Sequence, residues 1–141
     1  MAPDPVALAR RALRPAVTPV IDRLVDTVLC TELGHEQLPA DLRFVGETRD
    51  MLLFKLEHMP EFFGLGMFGV TLAFDAYGAA KGGGVPFRKQ PLAERRARLE
   101  EWKASPVGLF RSFTQFYEKM GSFVYHSYVE EAEQPHGNEV H

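Results

Sequence analysis

A chain of 141 residues, 45% hydrophobic and 25% charged, is long enough for one well-buried core and too short for two. Its formal charge of −3 supplies no positive field for nucleic acid, and its single cysteine, Cys30, excludes an internal disulfide framework and a cysteine-built zinc site. Eleven phenylalanines are a heavy aromatic load; aromatic side chains fill cores but also gather at permanent subunit interfaces, so composition alone raises an obligate partner.

The N-terminal stretch MAPDPVALARRALRPAVTPVIDRLVDTV has no uninterrupted apolar run before Pro15 and Pro19. Where a twin-arginine export signal needs an apolar core after Arg10-Arg11, this sequence carries Arg14, Asp22, Arg23 and Asp26. The expectation is a cytoplasmic protein. From about Thr18 to Leu33, Val20, Ile21, Leu24, Val25, Val28 and Leu29 recur at three- and four-residue spacing, which predicts an amphipathic helix capped by Gly34. A second helix is expected after Pro39, with Leu42, Val45, Met51, Leu52, Phe54 and Leu56 as its apolar positions, weakening at Pro60.

The third segment, FFGLGMFGVTLAF, is apolar on every side, and such a segment is normally covered all round. Its uncharged run from Phe62 to Phe74 is shorter than the roughly 20 residues a membrane span needs, which favours a soluble core or a subunit interface. Three consecutive glycines and Pro86 in AAKGGGVPFRKQ then predict a mobile Gly-rich loop over 81–90. The fourth helix, PLAERRARLEEWKAS, opens on Pro91 and is closed off by Pro106.

The last helix, from about Pro106 to Val129, carries a broad stripe of Phe110, Phe113, Phe116, Tyr117, Met120, Phe123, Val124 and Tyr128. At 1.5 Å per residue it is a rod of roughly 35 Å and the expected spine of the fold. Strand signals are nearly absent. The prediction is an all-α domain over 1–130, about five helices in one irregular bundle, followed by a disordered acidic tail over 131–141.

The hexapeptide GLGMFG, residues 64–69, has the letters of a dinucleotide-binding turn but none of its context: no preceding strand, no βαβ unit and no acidic ribose ligand downstream. Gly64, Gly66 and Gly69 are read instead as letting an apolar helix approach a neighbour closely. The triglycine at 82–84 lacks the Lys-Ser/Thr of a phosphate loop, and Arg88 with Lys89 reads as a solvated basic pair. One Glu-x-x-His occurs, Glu32 to His35, where a di-iron bundle needs two. Cys30 sits in an apolar-periodic helix, the setting of an inert buried thiol, and His58, His126, His136 and His141 stand singly. No catalytic, cofactor-binding or metal-binding residue is expected.

One residue breaks the pattern. Projected at 100° per residue, Arg95 falls within the apolar strip of Leu92, Leu99 and Trp102. Either its stem lies along apolar surface with the head in water, the ordinary case, or it forms a buried ion pair within this chain or with a partner.

The stretch GVPFRKQPLAERRARLEEWKASPVGLFRSFTQFYEKMGSFVYHSY resembles the helical segment that precedes the flavin domain in long-chain alcohol oxidases of the glucose-methanol-choline oxidoreductase family. Pro86-Phe87, Leu92, Glu94-Arg95, Leu99, Trp102, Ser105 or Pro106, and Tyr125 to Ser127 carry the likeness. It is also similar to small proteins encoded beside bacterial flavin dehydrogenases, including small subunits of the gluconate 2-dehydrogenase type. The resemblance implies a non-catalytic accessory subunit that binds and stabilises a FAD-dependent alcohol, sugar or steroid-type dehydrogenase or oxidase. FAD, catalytic base and substrate pocket would belong to that large flavoprotein subunit, and no cofactor to this chain.

The expected interface residues are Phe62, Phe63, Met67 and Phe68 of the apolar segment, Phe87, Arg95 and Trp102 of the loop and fourth helix, and Phe113, Tyr117 and Phe123 of the last helix. Such small subunits are often exported through a twin-arginine signal, which this sequence does not show in good form, so a periplasmic partner stays open. The alternative from a different class is a self-sufficient helical module that binds a small apolar ligand or a lipid surface with the 62–74 segment.

Overall fold

The computed structural model describes residues 5–39, 42–59 and 62–133, and among these it has five α-helices and no strand. They are α1 (Pro5–Leu33), α2 (Val45–Glu57), α3 (Phe62–Lys81), α4 (Leu92–Lys103) and α5 (Gly108–Glu133), with a 3-10 turn at Phe87–Lys89. The expected all-α bundle is present, but its spine is the first helix, not the last. Every other element packs on α1, whose Val17, Val20, Ile21, Leu24 and Leu29 are fully buried.

Helix α1 begins at Pro5 rather than near Thr18, and Pro15 and Pro19 lie inside it. An interior proline removes a helical hydrogen bond at a cost of roughly 3 kcal/mol, which is why the sequence read as broken there. Tertiary contacts hold the extra turns: the Arg10 guanidinium donates to the carbonyls of Glu57 and, at 2.7 Å, Met59, and Arg14 pairs with Glu57 at 2.9 Å. These cations also meet the negative end of α2. At its other end α1 stops where expected, with Gly34 at φ 74° and the His35 amide donating to the Cys30 carbonyl at 2.9 Å.

Helix α2 starts at Val45, later than its apolar pattern suggests, because Phe44 adopts a left-handed conformation at φ 73°. That backbone is unfavourable for a bulky side chain. Its ring is stacked on Tyr128 at 5.7 Å and lies under the Arg43 guanidinium at 4.6 Å, which holds it in place.

The Gly-rich segment is a loop, as expected, but it is fastened to α3 rather than free. Phe87 is fully buried against Phe74, with ring centroids 4.7 Å apart. The Arg88 amide donates to Asp75 at 2.9 Å and its guanidinium pairs with the same carboxylate. Gln90 is buried and donates through Nε2 to the carbonyls of Gly78 and Val85 at 2.7 and 2.8 Å.

This docking is so close that a Cβ on Gly78 would lie 2.7 Å from the Phe87 nitrogen. Gly66 and Gly69, in contrast, face solvent, and a Cβ on either meets nothing within 4 Å. The glycines that permit close approach are therefore Gly78 and, beside Gln90, Gly82, and the packing role read into Gly66 and Gly69 is not found within this chain. Helix α4 matches its predicted bounds. Helix α5 continues to Glu133, so residues 131–133 of the expected tail are helical, and 134–141 lie outside the described residues.

Gly78→Ala is expected to cost about 2 kcal/mol through overpacking against the Phe87 backbone, whereas Gly66→Ala gains up to about 1 kcal/mol of helix propensity. Urea denaturation of the two variants checks this; equal effects would contradict the packing described.

Candidate functional site

The residues expected at an interface fall into two groups. Met67, Phe68, Phe87, Arg95, Trp102, Phe113 and Tyr117 are buried in the core of the chain itself, whereas Phe123 is 66% exposed. The side chains of Phe62 and Phe63 lie outside the described residues. In place, the seven buried residues form the internal joints of the bundle. Phe74 is the centre of an aromatic box, with Phe87, Trp102 and Phe113 at centroid distances of 4.7, 4.7 and 5.0 Å, and Trp102 stacks on Phe110 at 4.0 Å. Such edge and offset contacts add about 1 kcal/mol each beyond the area they bury.

Arg95 takes the second of its two possible arrangements, within this chain. It is 6% exposed and pairs with Asp26 at 2.9 Å. Its remaining acceptors are the Thr27 hydroxyl at 2.8 Å, the Gln90 carbonyl at 3.0 Å and the Arg23 carbonyl at 3.2 Å. One guanidinium thus joins α1, the 82–90 loop and α4. Its neighbour Arg96 reaches the end of α1, donating to the Thr31 hydroxyl at 2.9 Å and the His35 carbonyl at 3.1 Å.

Two surfaces are left apolar. The first is the outer face of α3, where Gly66, Gly69, Ala73, Ala76 and Ala80 are exposed in a three- and four-residue rhythm, flanked by half-buried Leu65, Val70, Leu72 and Tyr77. The expectation that this segment is covered all round fails within the chain: only the face carrying Met67, Phe68, Thr71, Phe74, Asp75 and Gly78 is buried. Tyr77 brings a polar atom to that outer face, its hydroxyl donating to Glu101 at 2.6 Å, and the exposed Lys81 ammonium lies over its ring at 5.9 Å.

The second surface belongs to α5. Its broad aromatic stripe divides: Phe113, Tyr117, Val124 and Tyr125 face the core, while Leu109, Phe116, Met120 and Phe123 form an outer strip, with Leu109 and Phe123 exposed. On another side of α5, sharing only Phe123 with this strip, residues of α1, α4 and α5 enclose an open trough of about 1030 Å³. Val28 and Leu99 line it, Phe123 stands at its edge, and Arg96, Lys103, Lys119, Glu32, Glu100 and Glu118 surround it.

At that trough Glu32 accepts the Ser122 hydroxyl at 2.7 Å and contacts the His126 ring at 3.1 Å. No sequence signal pairs residues ninety positions apart, so this cluster was not legible in advance. The hydroxyl and the imidazole meet the same carboxylate oxygen, which leaves no Ser-to-His relay for nucleophilic catalysis. Among the described residues, no group of three or more His, Cys, Asp or Glu is placed to hold a metal ion. Cys30 is buried, and desolvation together with the nearby Asp26 pushes its thiol up, away from the reactive thiolate.

No family model, curated protein or solved structure matches this chain.

Arg95→Met is expected to destabilise the fold by about 3 kcal/mol, since it strands Asp26 and frees the loop. Arg96→Met, which loses only partly exposed hydrogen bonds, should cost about 1 kcal/mol. Urea denaturation separates them, and equal losses would deny Arg95 its joining role.

Burial, aided by the bond to Glu101, pushes the Tyr77 phenol up to about 12, and burial likewise raises Tyr117 and Tyr125. The folded state therefore holds these protons when the unfolded chain, titrating near about 10, has released them. The stability this gives is complete below that pH and lost as pH rises through the folded value. In alkaline denaturation profiles Tyr77→Phe should show a shallower loss than the native chain; parallel profiles would refute this.

Proposed function

We propose that this chain is the small, non-catalytic subunit of a FAD-dependent dehydrogenase or oxidase of the glucose-methanol-choline family, covering and stabilising the large flavoprotein subunit. The observation that carries this reading is the outer face of α3. A helix apolar on both sides is at home only when both are covered, and here one side is left to solvent. Its small residues let a partner's backbone come close, which suits a tight protein contact better than a pocket for a small molecule.

The resemblance supports the same reading in a different way. The residues that carry it, Phe87, Arg95, Leu99 and Trp102, are buried and hold the loop and α4 to the rest of the bundle. They build the scaffold that presents surfaces, so the contact with the large subunit is assigned to α3 rather than to these side chains. The chain's part in the reaction is structural: FAD, hydride acceptance and the catalytic base reside in the partner.

Co-expression of the tagged chain with a glucose-methanol-choline flavoprotein encoded beside it should yield a yellow complex with a flavin absorption spectrum. Ala73→Arg, which places a charge in the middle of the α3 face, should lower flavoprotein recovery by about tenfold or more while leaving the helical circular dichroism unchanged. A colourless, monodisperse monomer that recovers no flavoprotein would overturn the proposal, and binding of that monomer to lipid vesicles would favour the lipid-surface alternative.

A further inference from the structure

We propose that two copies of this chain pair through the outer strip of α5, the two helices running antiparallel with Phe123 beside the two-fold axis; this goes beyond the subunit reading and does not use the α3 face. The strip is one continuous line on the helix. Phe116, Met120, Phe123 and Ser127 follow one another at four-, three- and four-residue spacing, the rhythm in which a helix presents one side to a neighbouring helix. Phe116 and Met120 are half-buried, and Phe123, at 66%, is the most exposed large apolar side chain among the described residues. Ser127, one turn further on, is exposed and gives its hydroxyl to the Phe123 carbonyl at 2.8 Å. It therefore offers a small side chain whose donor is already satisfied, a seat over which a phenyl ring can leave water.

Charge identifies the occupant and its direction. The arginine and lysine of α5, Arg111 and Lys119, lie in its first half, while Glu130, Glu131 and Glu133 crowd its last turn, which holds no basic residue. That order is the reverse of what the helix dipole favours, so the acids gain nothing from their own helix. Glu118 already pairs with Lys103 at 3.4 Å, whereas neither Lys119 nor Glu130 has an ion-pair partner among the described residues. Lys119 and Glu130 are eleven residues apart, about three turns, so they flank the strip on the same side with Phe123 between them. Turned end for end about an axis between Phe123 and Ser127, a second α5 brings its Glu130 to Lys119 and its Lys119 to Glu130, and each Phe123 falls over the partner's Ser127. A parallel copy would set lysine against lysine and glutamate against glutamate. The strip is thus complementary to itself in one orientation, which is what a two-fold contact between identical chains requires.

Sedimentation equilibrium of the full chain over a range of concentrations tests this, and twice the chain mass is expected. Phe123→Ser, Lys119→Glu and Glu130→Lys should each weaken the dimer by about tenfold or more, and Lys119→Glu combined with Glu130→Lys in one chain should restore it. A chain that stays monomeric throughout overturns the proposal, as does a dimer that the single variants leave unchanged or that the exchanged charges do not rescue. Either result leaves the subunit reading standing, because that is judged by recovery of the flavoprotein. Should a variant fold poorly, cross-linking decides the matter, since Cys30 is buried. A short bismaleimide should join Ser127→Cys into a covalent dimer and leave Ser112→Cys, toward the other end of α5, as single chains; equal cross-linking of the two, or none, overturns the pairing.

Discussion

The bundle depends on one buried cation. Arg95 reaches from α4 into the seam where α1 passes beneath the 82–90 loop, and it satisfies acceptors on both of these partners. A lysine could offer a charge there but not the planar fork that meets Asp26, Thr27 and a loop carbonyl together. The arrangement is also demanding. A guanidinium out of water has to find every partner at once, so α1, the loop and α4 are positioned as a unit or the site is costly. The rest of the loop follows from this: with Gln90 held by Arg95, its side chain reaches the carbonyl of Gly78, and Phe87 falls into the aromatic box around Phe74.

Fixing the loop on one side of α3 explains why the other side is bare. The face with Met67, Phe68, Phe74 and Gly78 is used by α1 and the loop, and the remaining alanines and glycines have no element left to cover them. A chain of this size has a limited number of helices with which to cover its own apolar surface. The exposed face of α3 is thus a consequence of how the core is closed, and it gives the proposed subunit its contact surface.

Helix α5 follows the same logic at a different scale. Trp102 stacks on Phe110 where α4 meets the start of α5, and Arg96 draws α4 toward the end of α1. Held at those points, residues of α1, α4 and α5 enclose the trough and leave Phe123 at its edge. The long aromatic stripe is wider than one packing face can absorb, so part of it lies outside.

The sequence by itself determined the class of the fold, the count of helices, the Gly34 cap, the bounds of α4 and the loop at 81–90, because each follows from local periodicity or local backbone chemistry. Pro15 and Pro19 misled that reading, since what keeps α1 helical is the grip of Arg10 and Arg14 on α2, far away in the chain. Arg95 was visible as an anomaly without its partner. Only the tertiary structure decided that the partner is Asp26, that the closely packed glycines are Gly78 and Gly82 rather than Gly66, and that most of the expected interface aromatics are core while Phe123 is not. The physical reason is common to all three. Periodicity tells which side chains share a face of a helix, but which of two apolar faces is covered depends on contacts between residues remote in sequence.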